Sequence, residues 1–522
     1  MNRHKVHEMF DSINLPPMLK NGITDIPRPK SFGNACLVVL GGFTLFLILR
    51  ALYNVFLHPL RKFPGPISTA ASRLPLTIAT IRGEQLRWLQ ALHENYGHVV
   101  RISPDALSYT DERAWSDING STSAAKYGME KDERLLKLIG GDMTSPNPEL
   151  ARGDQKHTQM RKAYASGLTK AAVRSQAPLI VGHVEELLEV IDRKNGEAID
   201  IVDAWCSFVY NIFSDLFLGE SLNLFKDPTY VPWAHSFNSF AKATTIMAAL
   251  QHYVIARYIL AFVVQKFGGK KRDEFMKPIF DRFDRRAASE TKKVDLLHYA
   301  LREENKLSLH DLREFSPFLM IGGCETTPNL LSGLVFYLLK NPEYYAEVNK
   351  EVRENFKSEE EITIERMFGM PFLEACIQEA FRMYSPIGSG VDRMVPRGGA
   401  TIAGQRVPEN TVVTALHHVT FTASRNFARC NEYIPTRWLP SSDPEFASDR
   451  KNSLKPFSVG PQSCFGQDLT FYVTRMVLCR VFWKYDMELC PESRDWVNGQ
   501  KCWSARIKGP LYVKFKSAKR LV

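Results

Sequence analysis

The residue of this chain best placed to do chemistry is a cysteine in a loop rich in glycine and proline. Cys464 lies within Phe457-Ser458-Val459-Gly460-Pro461-Gln462-Ser463-Cys464-Phe465-Gly466. Behind it, Leu469, Tyr472, Val473, Met476, Val477 and Val481 recur at helical spacing. Cys464 is therefore expected at the mouth of a helix, where unpaired N–H groups and the helix dipole favour a thiolate. A thiolate held this way suits a haem iron, because it pushes electron density toward a bound O–O bond. Gly460 would let the loop turn, and Gly466 would let backbone approach a flat cofactor. A buried cysteine at a helix start is the alternative for such a residue standing alone. The spacing around it favours the ligand.

A second group lies in Gly322-Gly323-Cys324-Glu325-Thr326-Thr327. The pattern predicts one long helix from Leu307 to Leu339, with Ser308 as N-cap and Asp311 three residues on. An acid beside an alcohol is costly to bury in an apolar helix, and two glycines weaken the helix at the same place. Both costs make sense if the helix opens locally so that O₂ and water sit against it. Thr326 is then a hydrogen-bond donor to dioxygen, and Glu325 a proton relay. Pro328 cannot donate to the Cys324 carbonyl, which predicts a wider kink and a wetter groove. A pair of packing glycines with a surface acid is the other reading of these residues.

A third group is Glu379 and Arg382, three residues apart on an amphipathic stretch from Phe372 to Tyr384, with Arg437 further on.

Together these words resemble the cytochrome P450 family. Its haem-binding loop reads Phe-x-x-Gly-x-Arg-x-Cys-x-Gly, matched here by Phe457, Gly460, Cys464 and Gly466. Gln462 departs from it, standing where the family has an arginine for a haem propionate. Gln462 still donates hydrogen bonds, without charge assistance. Gly322–Thr327 resembles the family's Ala/Gly-Gly-x-Asp/Glu-Thr motif. Glu379, Arg382 and Arg437 resemble its buried ion cluster behind the haem. His157 and Arg161 share the spacing of a Trp-x-x-x-Arg pair that contacts the haem, and Arg393 matches a common third contact. Residues 51–66 and 322–327 resemble fungal microsomal members, many of them active in secondary metabolism.

The resemblance implies a mainly α fold with small β-sheets, haem b as cofactor, and monooxygenation of an apolar small molecule such as a polyketide or terpenoid intermediate. It implies NADPH-cytochrome P450 reductase as electron donor, with cytochrome b5 as a second donor. A haem-thiolate isomerase or dehydratase acting on peroxides without a reductase is the alternative, and a membrane-tethered haem sensor or carrier is another.

The elements that must position these residues fit within 522 residues, of which 44% are hydrophobic, enough for a sizeable core. Lys+Arg number 67 and Asp+Glu 57, for a net charge of +10 without a long basic run. Nucleic-acid binding is a poor reading of that pattern, whereas an anionic membrane face or an acidic protein partner suits it. Lys455, Arg475, Arg480 and Lys484, near the thiolate helix, are candidate contacts for an acidic reductase. The nine cysteines are scattered and form no CxxC pair, which argues against a disulfide framework or a zinc site. A reducing compartment follows.

Four regions are expected. A polar tail covers 1–33, and an apolar run over 34–57 is long enough to span a bilayer. A proline-rich hinge over 58–66 contains Phe63-Pro64-Gly65-Pro66, and the catalytic domain covers 67–522. The resemblance places that domain on the cytosolic side of the endoplasmic reticulum, on a single-pass anchor. Short sheet segments are expected at Val99–Ile102, Ala106–Tyr109 and across Val391–Val413. A second apolar region, 232–264, is interrupted by His235, Lys242, His252 and Arg257. It resembles by position the paired helices that roof the family's pocket and touch the membrane.

Overall fold

The computed structural model describes residues 32–121, 128–132, 155–291, 293–302, 307–388, 390 and 392–518. The tail expected over 1–33 lies almost wholly outside them. The chain divides into two units, Met1–His58 and Pro59–Val522.

The first unit is carried by helix α1 (Phe32–Phe56). Its stretch Gly33–Phe56 has a mean hydropathy of 2.3, and none of its most apolar window is buried. At 1.5 Å per residue it is about 36 Å long, enough to cross a hydrocarbon core.

The second unit is mostly helical. Its main helices are α2 (Gln85–Tyr96), α3 (Gln155–Ala165), α4 (Ile201–Leu218), α5 (Val231–Leu250), α6 (Val254–Val263), α7 (Leu309–Lys340), α8 (Pro371–Met383) and α9 (Gln467–Lys484). A five-stranded sheet has the order β1-β2-β8-β5-β3. Its strands are β1 (Val99–Ser103), β2 (Ala106–Tyr109), β3 (Glu130–Lys131), β5 (Arg393–Met394) and β8 (Val412–Ala415). Within it β2 and β8 run parallel and the other neighbours antiparallel. A three-stranded sheet joins β4 (Ala198–Asp200), β12 (Tyr512–Ser517) and β9 (Tyr485–Leu489). Two small hairpins complete the unit: β6 (Ala400–Ile402) with β7 (Gln405–Val407), and β10 (Lys501–Cys502) with β11 (Arg506–Ile507).

Local chemistry sets the ends of these helices. Ser308 caps α7 by accepting from the Asp311 N–H. Asp200 caps α4 in the same way through Val202, and Gly219 ends it in the left-handed region. Pro371 opens α8, where its missing N–H costs nothing. α4 is apolar enough to cross a membrane by composition, but most of its residues are buried against the core, so it is a core helix. It packs along α7, and the contact depends on Gly323. A Cβ on that residue would lie 2.4 Å from the Phe213 ring.

The segment expected to be a hinge is bonded to the sheet. Arg101 N–H donates to the Pro64 carbonyl at 2.7 Å, and Thr69 Oγ1 donates to the carbonyls of Pro66 and Arg101. A Cβ on Gly65 would lie 2.6 Å from the Arg101 carbonyl oxygen, so the residue after Pro64 must be small.

The apolar region 232–264 forms the helix pair α5 and α6, joined by a short turn. Along α6, Val254, Ile255, Tyr258, Ile259 and Phe262 are exposed, as are Ile67 and Leu74 elsewhere in this unit. This exposure far exceeds what scattered surface leucines produce.

Candidate active site

The cysteine loop is closed by its own backbone. Cys464 N–H donates to the Phe457 carbonyl at 2.9 Å, and Ser463 N–H to the Gly460 carbonyl at 3.0 Å. Gly460 has φ +81°, and a Cβ there would lie 2.1 Å from the Asn119 carbonyl oxygen. Both conformation and space therefore require glycine. Phe457 anchors the loop from below, 5.3 Å from the rings of Phe381 on α8 and Phe471 on α9. The buried set of α9 includes Leu469, Tyr472, Val473, Met476, Val477 and Val481, the face expected from the spacing. Cys464 is exposed and precedes the N-cap Gly466 by two residues.

Two of the residues expected to contact haem, Arg161 and Arg393, reach this loop. Arg161, on α3, donates from Nη1 to the Ser463 carbonyl at 2.5 Å and from Nη2 to Ser463 Oγ at 3.3 Å. Its guanidinium also lies 5.9 Å from the Phe465 ring. Arg393, on β5, donates to Gln462 Oε1 at 2.5 Å and to the Met129 carbonyl at 3.3 Å. Where the family pattern has an arginine in the loop, this chain has a glutamine that receives one from the sheet. His157 lies in α3, and its side chain is outside the described residues.

Helix α7 passes the loop, with Phe315 and Phe465 ring centroids 6.4 Å apart. The helix is unbroken from Leu309 to Lys340, so the expected local opening is not seen. The physical reason lies in the two glycines, which have different roles. Gly323 is a packing residue against α4, whereas Gly322 is exposed, with no atom within 4 Å of the place its Cβ would take. Open space is thus provided by a missing side chain rather than by an opened turn. Thr326 Oγ1 donates to the Gly322 carbonyl at 2.7 Å.

Glu325 has partners that sequence reasoning missed. Tyr210 of α4 places its hydroxyl 2.9 Å from Glu325 Oε1 and 3.3 Å from the Ala234 carbonyl. Burial raises the Glu325 carboxyl above its ordinary range, opposed by the Lys508 ammonium, the Tyr210 hydrogen bond and His235. Burial, with Glu325 beside it, pushes the Tyr210 hydroxyl well above the usual tyrosine value, so it keeps its proton. Lys508 donates to Asn329 Oδ1, one turn beyond Glu325, and Asn329 Nδ2 donates to the Pro386 carbonyl at 3.1 Å. Only an unpaired tyrosine in an apolar run (Phe208 to Phe213) could have marked Tyr210 in the sequence.

The acid–base group is assembled as expected and is larger. Glu379 takes Arg382 bidentately, with both contacts at 2.8 Å, and Arg437 Nε at 3.3 Å. The Ile434 N–H and Trp438 Nε1 also donate to it, at 2.8 and 2.9 Å. Asp449, not expected, accepts from Arg437 Nη1 at 2.5 Å and balances the charge. All four ionic side chains are fully buried.

The docking cations read from the sequence fare worse. Arg480 is buried and bonded to Glu185 and Glu359, Arg475 pairs with Glu374, and Lys484 pairs with Asp192. They lie on faces of α9 that pack against neighbouring acidic side chains, which uses their charge inside the fold. They are not free contacts for a partner.

The sequence profile of the cytochrome P450 family matches residues 76–515. The chain belongs to the cytochrome P450 family. Similar curated proteins include fungal cytochrome P450 monooxygenases. One is aneG of Aspergillus aculeatus, 31% identical over 91% of this chain and 91% of its own length. The second, astA of Talaromyces wortmannii, is 34% identical over 90% of this chain and 95% of its own. The third, lcsI of Purpureocillium lilacinum, is 33% identical over 97% of this chain and 99% of its own. This P450 is accordingly an oxidoreductase of the monooxygenase class, and its family implies a haem-iron cofactor.

The residues of the site fit that group. A Cβ on Gly466 would meet only Cys464 Sγ, at 3.8 Å, so no protein packing accounts for a glycine there. The open face it leaves is the one a flat macrocycle would cover. Two guanidinium groups at the same loop would meet its propionates. Cys464, Arg161, Arg393 and Gln462 would hold the haem.

Proposed function

We propose that this P450 is a membrane-anchored haem-thiolate monooxygenase. It inserts one oxygen atom from O₂ into an apolar small molecule, a fungal secondary-metabolite intermediate of polyketide or terpenoid type. The observation that carries this reading is Cys464, exposed on a loop closed by its own N–H and flanked by Arg161 and Arg393.

Haem bound at Cys464 supplies one-electron redox chemistry and activation of O₂. The chain's own residues supply the rest. The Cys464 thiolate would ligate the haem iron. Arg161 and Arg393 would neutralise the propionates, with Gln462 orienting Arg393. Thr326 turns its hydroxyl from the Gly322 carbonyl toward the open space beside Gly322. There it would hold a proton at Oγ1, facing the space a bound haem would border. Glu325, with its pKa raised, holds a proton at its carboxyl for delivery through Thr326, and Tyr210 fixes the carboxyl's position.

The apolar helix α1 and the exposed apolar residues of α6 support attachment to a membrane, which the family resemblance makes the cytosolic face of the endoplasmic reticulum. Electrons then come from NADPH-cytochrome P450 reductase, with cytochrome b5 as a second donor. Because three of the four cations first assigned to docking are paired internally, the docking face needs other contacts.

Deleting the gene in its host and comparing extracts by accurate mass tests the substrate. A lost product and an accumulated precursor one oxygen lighter support the proposal. An isomeric pair of equal mass, formed without NADPH, would instead assign peroxide rearrangement.

A further inference from the structure

A polar cavity of about 210 Å³ lies between the start of α2, the ends of α7 and α8, and the β10–β11 hairpin. Arg87, His418, Gln500 and Arg506 are among the residues that line it. None of the loop and helix residues that would hold haem or move protons does so.

Arg506 is the unusual member. It is only 7% exposed, and its Nε has no hydrogen-bond partner. Among the described residues its guanidinium makes no ion pair. It lies 4.8 Å from the Tyr384 ring, which supplies only a quadrupole. Arginine cannot shed its charge, so a buried guanidinium without a counter-charge is costly. The acidic group in the cavity wall, Glu84, is already paired with Lys501. Arg87 adds a second positive charge at the exposed side, and the lining residue His418 has a buried Nδ1 without a hydrogen-bond partner. One lining amide is already occupied: Gln500 accepts from the Tyr384 hydroxyl and donates to the Trp496 carbonyl.

We propose that this cavity is a binding site for a small oxyanion, of the phosphate or carboxylate class, held by the Arg506 guanidinium and the His418 ring. The volume admits such an ion with several waters, at about 30 Å³ each. A planar guanidinium recognises oxyanions through two parallel N–H bonds, which accounts for an arginine rather than a lysine at this position. The bound ion would tie the β10–β11 hairpin to α2. That hairpin leads directly to Lys508, which bonds Asn329 on α7.

The test uses the full-length, haem-loaded protein in detergent, titrated calorimetrically with inorganic phosphate and, separately, acetate. Ionic strength is held constant with chloride. The expected result is saturable uptake of one ion per chain with a matching rise in melting temperature. Arg506→Gln should weaken binding at least ten-fold. Arg87→Ala, an exposed change that leaves the core intact, should weaken it a few-fold. Phosphate alone binding would assign a tetrahedral ligand, and acetate alone a planar one. Absence of saturable uptake of either ion by the wild-type protein would overturn the proposal, leaving the guanidinium solvated by water. Wild-type affinity in both variants would overturn it equally, and Arg87→Ala decides if Arg506→Gln does not fold.

Discussion

Replacing Glu379 by alanine tests how far the buried ion cluster holds the haem domain together. The carboxylate receives Arg382 twice, Arg437, the Ile434 N–H and the Trp438 indole. With Asp449 it balances two guanidinium groups that no water reaches. In Glu379→Ala, Asp449 alone faces two cations, and one buried positive charge is uncompensated. Breaking a buried pair in this way costs about 3–5 kcal/mol. Each stranded donor costs about 1–3 kcal/mol, a term that overlaps with the first. Against a domain stability of about 5–15 kcal/mol, this removes a third or more of a typical margin and should lower both haem retention and melting temperature. The assay is the haem-to-protein ratio of purified protein, with thermal unfolding followed by circular dichroism. Glu379→Gln keeps the volume and one acceptor but not the charge, so it should lose nearly as much haem. Normal haem content and a wild-type melting temperature in Glu379→Ala would refute the reasoning. A normal Glu379→Gln beside a failing alanine variant would show that packing, not charge, matters.

Other outcomes follow from the same geometry. Gly460→Ala forces a Cβ toward the Asn119 carbonyl at a positive φ, so it should displace the loop and replace the thiolate-type Soret band of the reduced CO complex. Retention of that band at full intensity counts against the loop assignment. Tyr210→Phe removes a hydrogen bond that lowers the Glu325 pKa, so that pKa rises further. Coupling of NADPH oxidation to product falls as pH rises through that pKa, and the fall should move to higher pH in the variant. An unmoved profile would separate Glu325 from proton delivery. Pro328→Ala restores an N–H for the Cys324 carbonyl and should change the split between product and peroxide. Unaltered yields of both would dismiss a role for Pro328 in the oxygen groove.

Much of the site could be read in the sequence because it is written locally. The cysteine loop, the α7 motif and the α8 pair each lie within one element, where spacing fixes geometry. The helix at Leu309–Lys340 and its Ser308 cap follow from the same local logic. What the sequence withheld depends on contacts between distant elements. Tyr210 meets Glu325 across 115 positions, and Asp449 completes the ion cluster from a loop without a periodic signal. The pairing of β4 with β12 and of β9 with β12 is likewise non-local. Gly323 could not be told from Gly322 until α4 was seen packing on one of them. Arg480 read as a surface cation because α9 is flanked by acids far away in sequence.

The account rests on Cys464 being the haem ligand, and the reduced-CO spectrum tests that most directly. Wild-type protein and Cys464→Ser should be compared at equal concentration, each checked for folding by circular dichroism. Thiolate ligation by Cys464 gives a thiolate-type Soret band in the wild type and its loss in a folded serine variant. A wild type without that band, or a serine variant that keeps it, would contradict it.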